Sequence, residues 1–502
     1  MLQDRDNPQE KLMIRRVLAV VLTVSAISST VVSGQDNTTP LAFPDTLAGR
    51  RLQAYFDAYA GGTDEAFRDF QQKHGRPGSP AIETRIAKAK KFRKTWGVLT
   101  PRIILFSGER MLNVLSENVE EKKWFRCELR LERTEPYWFK GVALYPATGP
   151  ELCIQSHGTK ELAEAVARFQ MAARVPALAV GTIRGNEIET AVAGVRRFDA
   201  AEAVEKDDRF HLGSVTKSIT ATLIGRLVEQ ELLSWGSTLG ELLPDIEMRP
   251  EYRDVTVEEL LQHRSGLPKF SSSDEFRAAT EGSKLNERTA FAAAALKIKP
   301  VVEPHKEYRY SNAGYGIAGF LAERATGRTW EELLKKEVFQ PLGMRNAGFG
   351  WPAALSRKNQ PFGHRMKEDG SLQLQELGKQ GLTKAAAPAG DVHCSIHDFA
   401  RYASFHLQAL RGCDGVLKAE TIKRLHTPIP GSSSGFSYAG GWFIEHVRIP
   451  ARHTHGGSGG SFLAVVVLEP DSNIGVVVAA NARQVTELNT IADSLLDWLR
   501  SS

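Results

Sequence analysis

Residues 209–232 read Arg-Phe-His-Leu-Gly-Ser-Val-Thr-Lys-Ser-Ile-Thr-Ala-Thr-Leu-Ile-Gly-Arg-Leu-Val-Glu-Gln-Glu-Leu. From Ser214 onward, Val215, Ile219, Leu223, Leu227 and Val228 recur at helical spacing. Gly213 lets the chain enter that helix tightly. Ser214 then stands at the helix N-terminus, and Lys217 follows one turn later on the same face. The unsatisfied amides and the positive end of the dipole favour negative charge there. A serine hydroxyl is a poor nucleophile until a base takes its proton, and a desolvated lysine beside it can be that base. Taken alone, such a pair is more often a capping serine and a solvated lysine. The company it keeps decides between the two.

The chain has 502 residues, enough for two or three domains, and its 42% hydrophobic and 25% charged composition is that of a globular protein. A net charge of +5 is too mild and too dispersed to indicate nucleic acid. The densest basic run, Lys88 to Lys94, lies in a helical pattern with Ile82, Ile86 and Trp96 and reads as a solvated face. Arg15-Arg16, the apolar stretch Val17 to Val32 and the small residues Ser33-Gly34 have the order of a signal peptide over residues 1–35, with Met13 an alternative start. Such a leader implies export to the periplasm or beyond; left uncleaved, it would tie the chain to a membrane. Cys127, Cys153, Cys394 and Cys413 allow three full pairings. Cys127 alternates with Phe125, Leu129 and Leu131 and reads as a small core residue, so no disulfide is assigned.

A linker at 36–44 leads to a small α+β unit over 45–150. Its helices are expected near 46–60, 63–74 and 80–96, and its strands over Arg102–Ser107, Arg110–Leu115, Lys123–Glu132 and Tyr137–Tyr145. In layout this unit is similar to cystatin- or NTF2-like modules. Pro146, Gly149, Pro150 and Gly158 mark a boundary, and 151–502 reads as one larger domain. It has a helix at 159–173, a hairpin Ala177–Arg184 and Glu187–Ala193, a long helical middle, a second hairpin Phe462–Leu468 and Ile474–Ala480, and a last helix near 484–500. Strands at both ends with helices between them predict an antiparallel sheet assembled from the two termini, flanked by helices, plus a helical lobe. Clefts between such lobes are preferred binding sites.

Two further motifs accompany Ser214 and Lys217. Tyr310-Ser311-Asn312 could place a phenol and an amide beside the lysine; an ammonium there would favour phenolate, and the pair could relay a proton. His455-Gly456-Gly457-Ser458-Gly459-Gly460 precedes a strand, where glycine permits close approach of a ligand and a backbone amide could complete an oxyanion hole with that of Ser214. In this order the three motifs resemble those of the serine β-lactamase and penicillin-binding-protein-like superfamily, nearest its class C β-lactamase, D-aminopeptidase and esterase branch. Leu260-Leu261-Gln262-His263-Arg264-Ser265-Gly266-Leu267-Pro268, Pro341-Leu342-Gly343-Met344 and the terminal hairpin ending Ala480-Asn481 support it, over roughly residues 159–500. The resemblance implies a β-lactamase-like α+β domain. It makes Ser214 the acylated nucleophile, Lys217 and Tyr310 the proton-transfer pair and Asn312 an orienting amide. The amides of Ser214 and Ser458 become the oxyanion hole, and His455 to Gly457 stands in place of Lys-Thr-Gly.

A histidine there supplies less fixed positive charge than lysine, which tilts the expectation from penicillins toward a small ester, amide or peptide substrate. A β-lactamase or D-amino-acid peptidase is the alternative, and a catalytically weak penicillin-binding or scaffold protein is the alternative of another class. Gly431–Gly435 and Gly456–Gly460 match Gly-x-Ser-x-Gly but lack the strand-turn-helix context of a nucleophile elbow. His453-Thr454-His455 and His393 with His397 are set aside as metal ligands, because Ser395 and Asp398 read as a capping pair that leaves His393 outside its helix. No metal and no cofactor is expected.

Overall fold

Thr46 and Thr63 accept hydrogen bonds from the amides of Gly49 (3.0 Å) and Ala66 (3.2 Å), starting α1 (Leu47–Gly61) and α2 (Asp64–His74). These open the first of the two units into which this computed structural model divides, residues 1–160 and 161–502. The structure describes residues 42–43, 45–77, 82–107, 111–121, 123–131, 138–146, 162–173, 175–354, 356–367, 372–377, 381–429, 436–446, 448–483 and 485–501. The leader, most of the 36–44 linker, Cys153 and Gly431–Gly435 lie outside the described residues.

After α3 (Ile82–Trp96) the first unit continues with β1 (Leu99–Ser107), β2 (Met111–Asn118), β3 (Lys123–Leu131) and β4 (Phe139–Pro146), an antiparallel sheet in that order. The alternation read in β3 holds: Phe125, Cys127, Leu129 and Leu131 are all buried, and the Cys127 thiol lies 3.3 Å from the Ser116 hydroxyl. On α3, Ile86 and Ala89 face inward while Lys88, Lys90, Lys91 and Lys94 are exposed, a solvated face. Cys127, Cys394 and Cys413 are free thiols.

The second unit runs from α4 (Leu162–Ala173) through β5 (Ala177–Arg184), β6 (Glu187–Gly194), β7 (Arg209–His211), α5 (Thr216–Glu229), α6 (Asn312–Thr326), β8 (Gly348–Phe349), β9 (Val392–Ser395) and α7 (Ile396–Leu410). It ends with β10 (Phe436–Tyr438), β11 (Phe443–Glu445), β12 (Arg452–Ser458), β13 (Leu463–Glu469), β14 (Ile474–Ala480) and α8 (Val485–Ser501). Its seven-stranded sheet has the order β10-β11-β12-β13-β14-β5-β6, antiparallel throughout, so the two ends of the unit meet where β14 pairs with β5. Asn481 fastens that junction, its side-chain oxygen accepting the Ala177 amide at 2.7 Å. Every residue of β13 and β14 is buried, because α7 and α8 both pack on this sheet. Capping boxes at Thr238, Thr256, Ser272 and Thr329 start short helices of the intervening lobe. A smaller sheet, β7-β9-β8, braces the start of α5. Ser395 caps α7 by accepting the Asp398 amide at 3.3 Å, and His393 lies outside it on β9.

A run of imidazoles crosses this core. Thr222 on α5 donates its hydroxyl to the Ser218 carbonyl, which leaves its oxygen to accept from His406 Nε2 at 3.0 Å. His406 Nδ1 then lies 2.9 Å from His426 Nε2, and His426 Nδ1 lies 2.7 Å from His453 Nδ1. The chain closes with three neutral rings, each donating toward Thr222. Burial pushes His406 down to about 3, His453 to about 4 and His426 well below the usual histidine range. Unfolding returns each ring to about 6.5, so between that pH and the depressed values the unfolded chain binds more protons than the folded one. Stability therefore falls with acidification across this window, by about 1.4 kcal/mol per pH unit for each ring. Melting temperatures should drop steadily from pH 7 to pH 4, and His453→Gln should flatten that slope. An unchanged slope in the variant contradicts the assignment.

Candidate active site

The Ser214 stretch departs from the expected helix at its first turn. Gly213–Val215 form a 3-10 turn, and α5 begins only at Thr216. Neither turn nor helix has a side-chain cap, so Ser214 is not the capping serine that its position suggests. Its Oγ instead lies 3.1 Å from Lys217 Nζ. Lys217 is completely buried, and its Nζ donates to the Ala389 carbonyl at 2.7 Å. Desolvation holds its pKa well below the usual lysine range, which favours the uncharged amine.

Neighbouring segments clamp the turn. The Leu212 amide donates to the Val392 carbonyl (2.9 Å), the Val392 amide to Thr216 Oγ1 (3.0 Å), and Thr220 Oγ1 to the Pro388 carbonyl (2.8 Å). Residues 388–392 thus run alongside α5 and deliver the Ala389 carbonyl to the lysine. On another side β12 presses its backbone against the turn. Gly213 has a left-handed φ of 52°, and a Cβ there would lie 2.4 Å from the Ser458 nitrogen. A Cβ on Gly457 would lie 1.9 Å from the Leu212 carbonyl oxygen and 2.8 Å from the Ser214 nitrogen. Only glycines let the amides of Ser214 and Ser458 come this close.

Tyr310 enters from the helical lobe. Ser311 caps α6, accepting the Gly314 amide at 3.3 Å, and its hydroxyl donates to the Pro268 carbonyl at 2.6 Å. Tyr310, one residue earlier, lies beside Ser214, and its ring centre lies 4.9 Å from Lys217 Nζ. Burial pushes its pKa up to about 12, which favours the phenol over the phenolate. Asn312 belongs to the same strap, and its side-chain amide donates to the Phe270 carbonyl at 2.7 Å. The group that orients Lys217 is the Ala389 carbonyl, which side-chain motifs cannot reveal.

His455 is also placed differently from an open cleft wall. Its ring is 1% exposed, with Nδ1–H donating to the Gly456 carbonyl (2.7 Å) and Nε2 accepting from the Tyr438 hydroxyl (3.2 Å). Burial pushes it down to about 3, so it carries no charge at neutral pH. The exposed positions on this part of β12 are Gly456 and Ser458. Two further residues belong to the constellation. His263, with φ 59°, accepts the Ser311 amide at Nδ1 (3.1 Å) and stacks 4.3 Å from Tyr310 and 4.5 Å from Tyr438. It was visible in the sequence only as part of Leu260–Pro268. His211 accepts the Gly213 amide at Nδ1 (3.2 Å), and its Nε2 lies 3.4 Å from Asp391. Among the described residues no group of three or more His, Cys, Asp or Glu is placed to hold a metal, and no helix is long and apolar enough to cross a membrane.

A family model described as Beta-lactamase matches residues 162–496. Penicillin-binding protein 4 of Amycolatopsis lactamdurans is 27% identical over 334 residues, covering 63% of this chain and 83% of that protein. Unguisins hydrolase ungD' of Aspergillus campestris is 24% identical over 336 residues, 64% of this chain; the match spans only 61% of that relative's length. Among solved structures, the octameric penicillin-binding protein homologue from Pyrococcus abyssi has the same fold, with TM-score 0.57 and 24% identity over 68% of this chain and 76% of that one.

The approach of β12 to the Ser214 turn yields a direct test. Gly457→Ala should force the two backbones apart and slow fluorophosphonate labelling of Ser214 by about 10²-fold, the cost of losing one oxyanion donor. A Cβ on Gly456 meets nothing within 4 Å, so Gly456→Ala should label at the wild-type rate. Equal labelling of the two variants would show that this contact does not shape the site.

Proposed function

Since the chain belongs to the Beta-lactamase family, we propose that its second unit is a serine hydrolase that cleaves an ester or amide bond through an acyl-enzyme on Ser214. The observation that carries this reading is the completely buried amine of Lys217, with no carboxylate beside it, at 3.1 Å from Ser214 Oγ. In the proposed reaction Ser214 Oγ attacks the substrate carbonyl and its proton passes to Lys217 Nζ. The carbonyl oxygen becomes an oxyanion between the amides of Ser214 and Ser458. The C–O or C–N bond to the leaving group then breaks, and the leaving group takes the proton through Tyr310 or directly from Lys217. Water repeats the sequence on the ester, returning Ser214 and releasing the acid. Asn312, His455 and Gly457 shape the site's walls in this reading.

The uncharged His455 favours a neutral ester or amide over a penicillin, because it offers no fixed cation to a substrate carboxylate. A β-lactamase or D-amino-acid peptidase differs from this reading only in the substrate. We also propose export of the chain, on the basis of Arg15-Arg16 and the apolar residues that follow.

Ser214→Ala should abolish fluorophosphonate labelling while preserving the fold; a label on another serine overturns the assignment. Lys217→Ala and Tyr310→Phe should each slow acylation by about 10²-fold or more, and the double variant should be little slower than either one, since the two groups act as a unit. Because Lys217 works as the free amine, acylation should fall as acid protonates it, with no activating limb near pH 10. A chromogenic cephalosporin turned over faster than every neutral ester would restore the β-lactamase alternative.

A further inference from the structure

Three segments that close on Ser214 meet at one imidazole. His211 ends β7, where it pairs with His393 of β9. Its Nδ1 accepts the Gly213 amide at 3.2 Å. That amide precedes α5 and cannot enter the helical ladder, so it needs an acceptor from elsewhere. With Gly213 at a left-handed φ of 52°, this bond fixes the backbone that leads directly into Ser214.

The same ring meets the other side of the site. A Cβ on Gly459 would lie 2.5 Å from His211 Nδ1, so the chain just after Ser458 passes against the ring. Trp351 covers the ring at 4.6 Å. His211 is 1% exposed, out of reach of a substrate, and acts through backbone. It stands between the Gly213 turn and the end of β12, which lead to the amides of Ser214 and Ser458.

The position of its proton follows from these contacts. A neutral imidazole that accepts at Nδ1 carries its hydrogen at Nε2. Asp391 Oδ1 lies 3.4 Å from Nε2 and occupies that side. Asp391 stands two residues after Ala389, whose carbonyl receives Lys217 Nζ. The carboxylate thus favours the tautomer whose lone pair faces the turn. The opposite tautomer would point an N–H at the Gly213 N–H.

We propose that His211 is a positioning residue for acylation, with Asp391 holding its tautomer. The ring sets the spacing of the Ser214 and Ser458 amides around the oxyanion and leaves proton transfer to Lys217 and Tyr310. The assignment rests on the serine hydrolase reading and adds two residues to it.

Fluorophosphonate labelling of Ser214 over a range of reagent concentrations separates the maximal rate from half-saturation. His211→Phe keeps a ring against Trp351 but has no lone pair. Its maximal rate should fall about tenfold, the worth of one hydrogen bond to a buried amide, with half-saturation unchanged. His211→Asn places Oδ1 near the position of Nδ1 and should recover most of the loss. Nitrogen NMR of histidine-labelled protein, with the His211→Asn spectrum assigning the signal, should show the hydrogen on Nε2. In Asp391→Leu the hydrogen should divide between the two nitrogens, and the maximal rate should fall. A wild-type rate in His211→Phe, no recovery in His211→Asn, a hydrogen on Nδ1, or an unchanged proton position in Asp391→Leu overturns the assignment. Wild-type protein that the reagent fails to label overturns the hydrolase reading instead, and the NMR spectrum still decides the tautomer.

Discussion

A lysine amine held inside a protein with no carboxylate beside it is the constraint on which this site depends. Lys217 is completely buried, and what it touches there is a serine hydroxyl and a backbone carbonyl rather than a carboxylate. A carboxylate in place of the Ala389 carbonyl would hold the lysine as an ammonium, useless as a base. The carbonyl takes one N–H and leaves the lone pair free for Ser214. This explains why residues 388–392 are bonded so closely to α5: they exclude water and provide a neutral partner at the same place.

The surroundings follow the same rule. His263 and His455 are both buried beside the lysine, and burial drives both far below their ordinary pKa. Tyr310, Tyr315 and Tyr438 are driven the other way, so they remain phenols. The result is a set of groups rich in hydrogen-bonding capacity and poor in charge. A charge that appears in such a place during a reaction is felt strongly, because little else screens it. In the proposed reaction the backbone amides of Ser214 and Ser458 are then the partners for the developing oxyanion.

How far this could be read from the chain depended on what kind of group did the work. Side chains with recognisable chemistry at short spacing, Ser214 with Lys217 and Tyr310 with Asn312, were legible, as were the hairpins and helices with clear periodicity. The closure of the sheet through β14 and β5 was legible because apolar strands stood at both ends of the second unit. The Ala389 carbonyl was not, since every residue has one and only tertiary structure selects it. His211 and His263 act on backbone amides of their neighbours, a role with no compositional mark. His455 was legible as a position but not as an environment, because a seven-residue strand does not announce that β11 and Tyr438 will cover one of its faces. The 3-10 turn at Gly213–Val215 has the same origin: the pattern of α5 extends back through Val215, and it is contact with β12 that tightens the first turn.

The clamps on that turn come from widely separated parts of the sequence: β7, the 388–392 segment and β12. None of them is stable alone. β12 is fixed by β13, β13 by β14, and β14 by β5, so the amide of Ser458 reaches Ser214 only once both ends of the unit have joined. The Lys217 carbonyl partner likewise arrives only when β9 has paired with β7. Desolvation of the lysine is therefore a product of the complete fold. In a partly folded chain the amine would be hydrated and protonated, and Ser214 would be an ordinary hydroxyl. The cost of burying Lys217 is met by the cooperative packing of the sheet and of α5, α6 and α7 around it, and this ties the reactivity of one serine to the integrity of the whole unit.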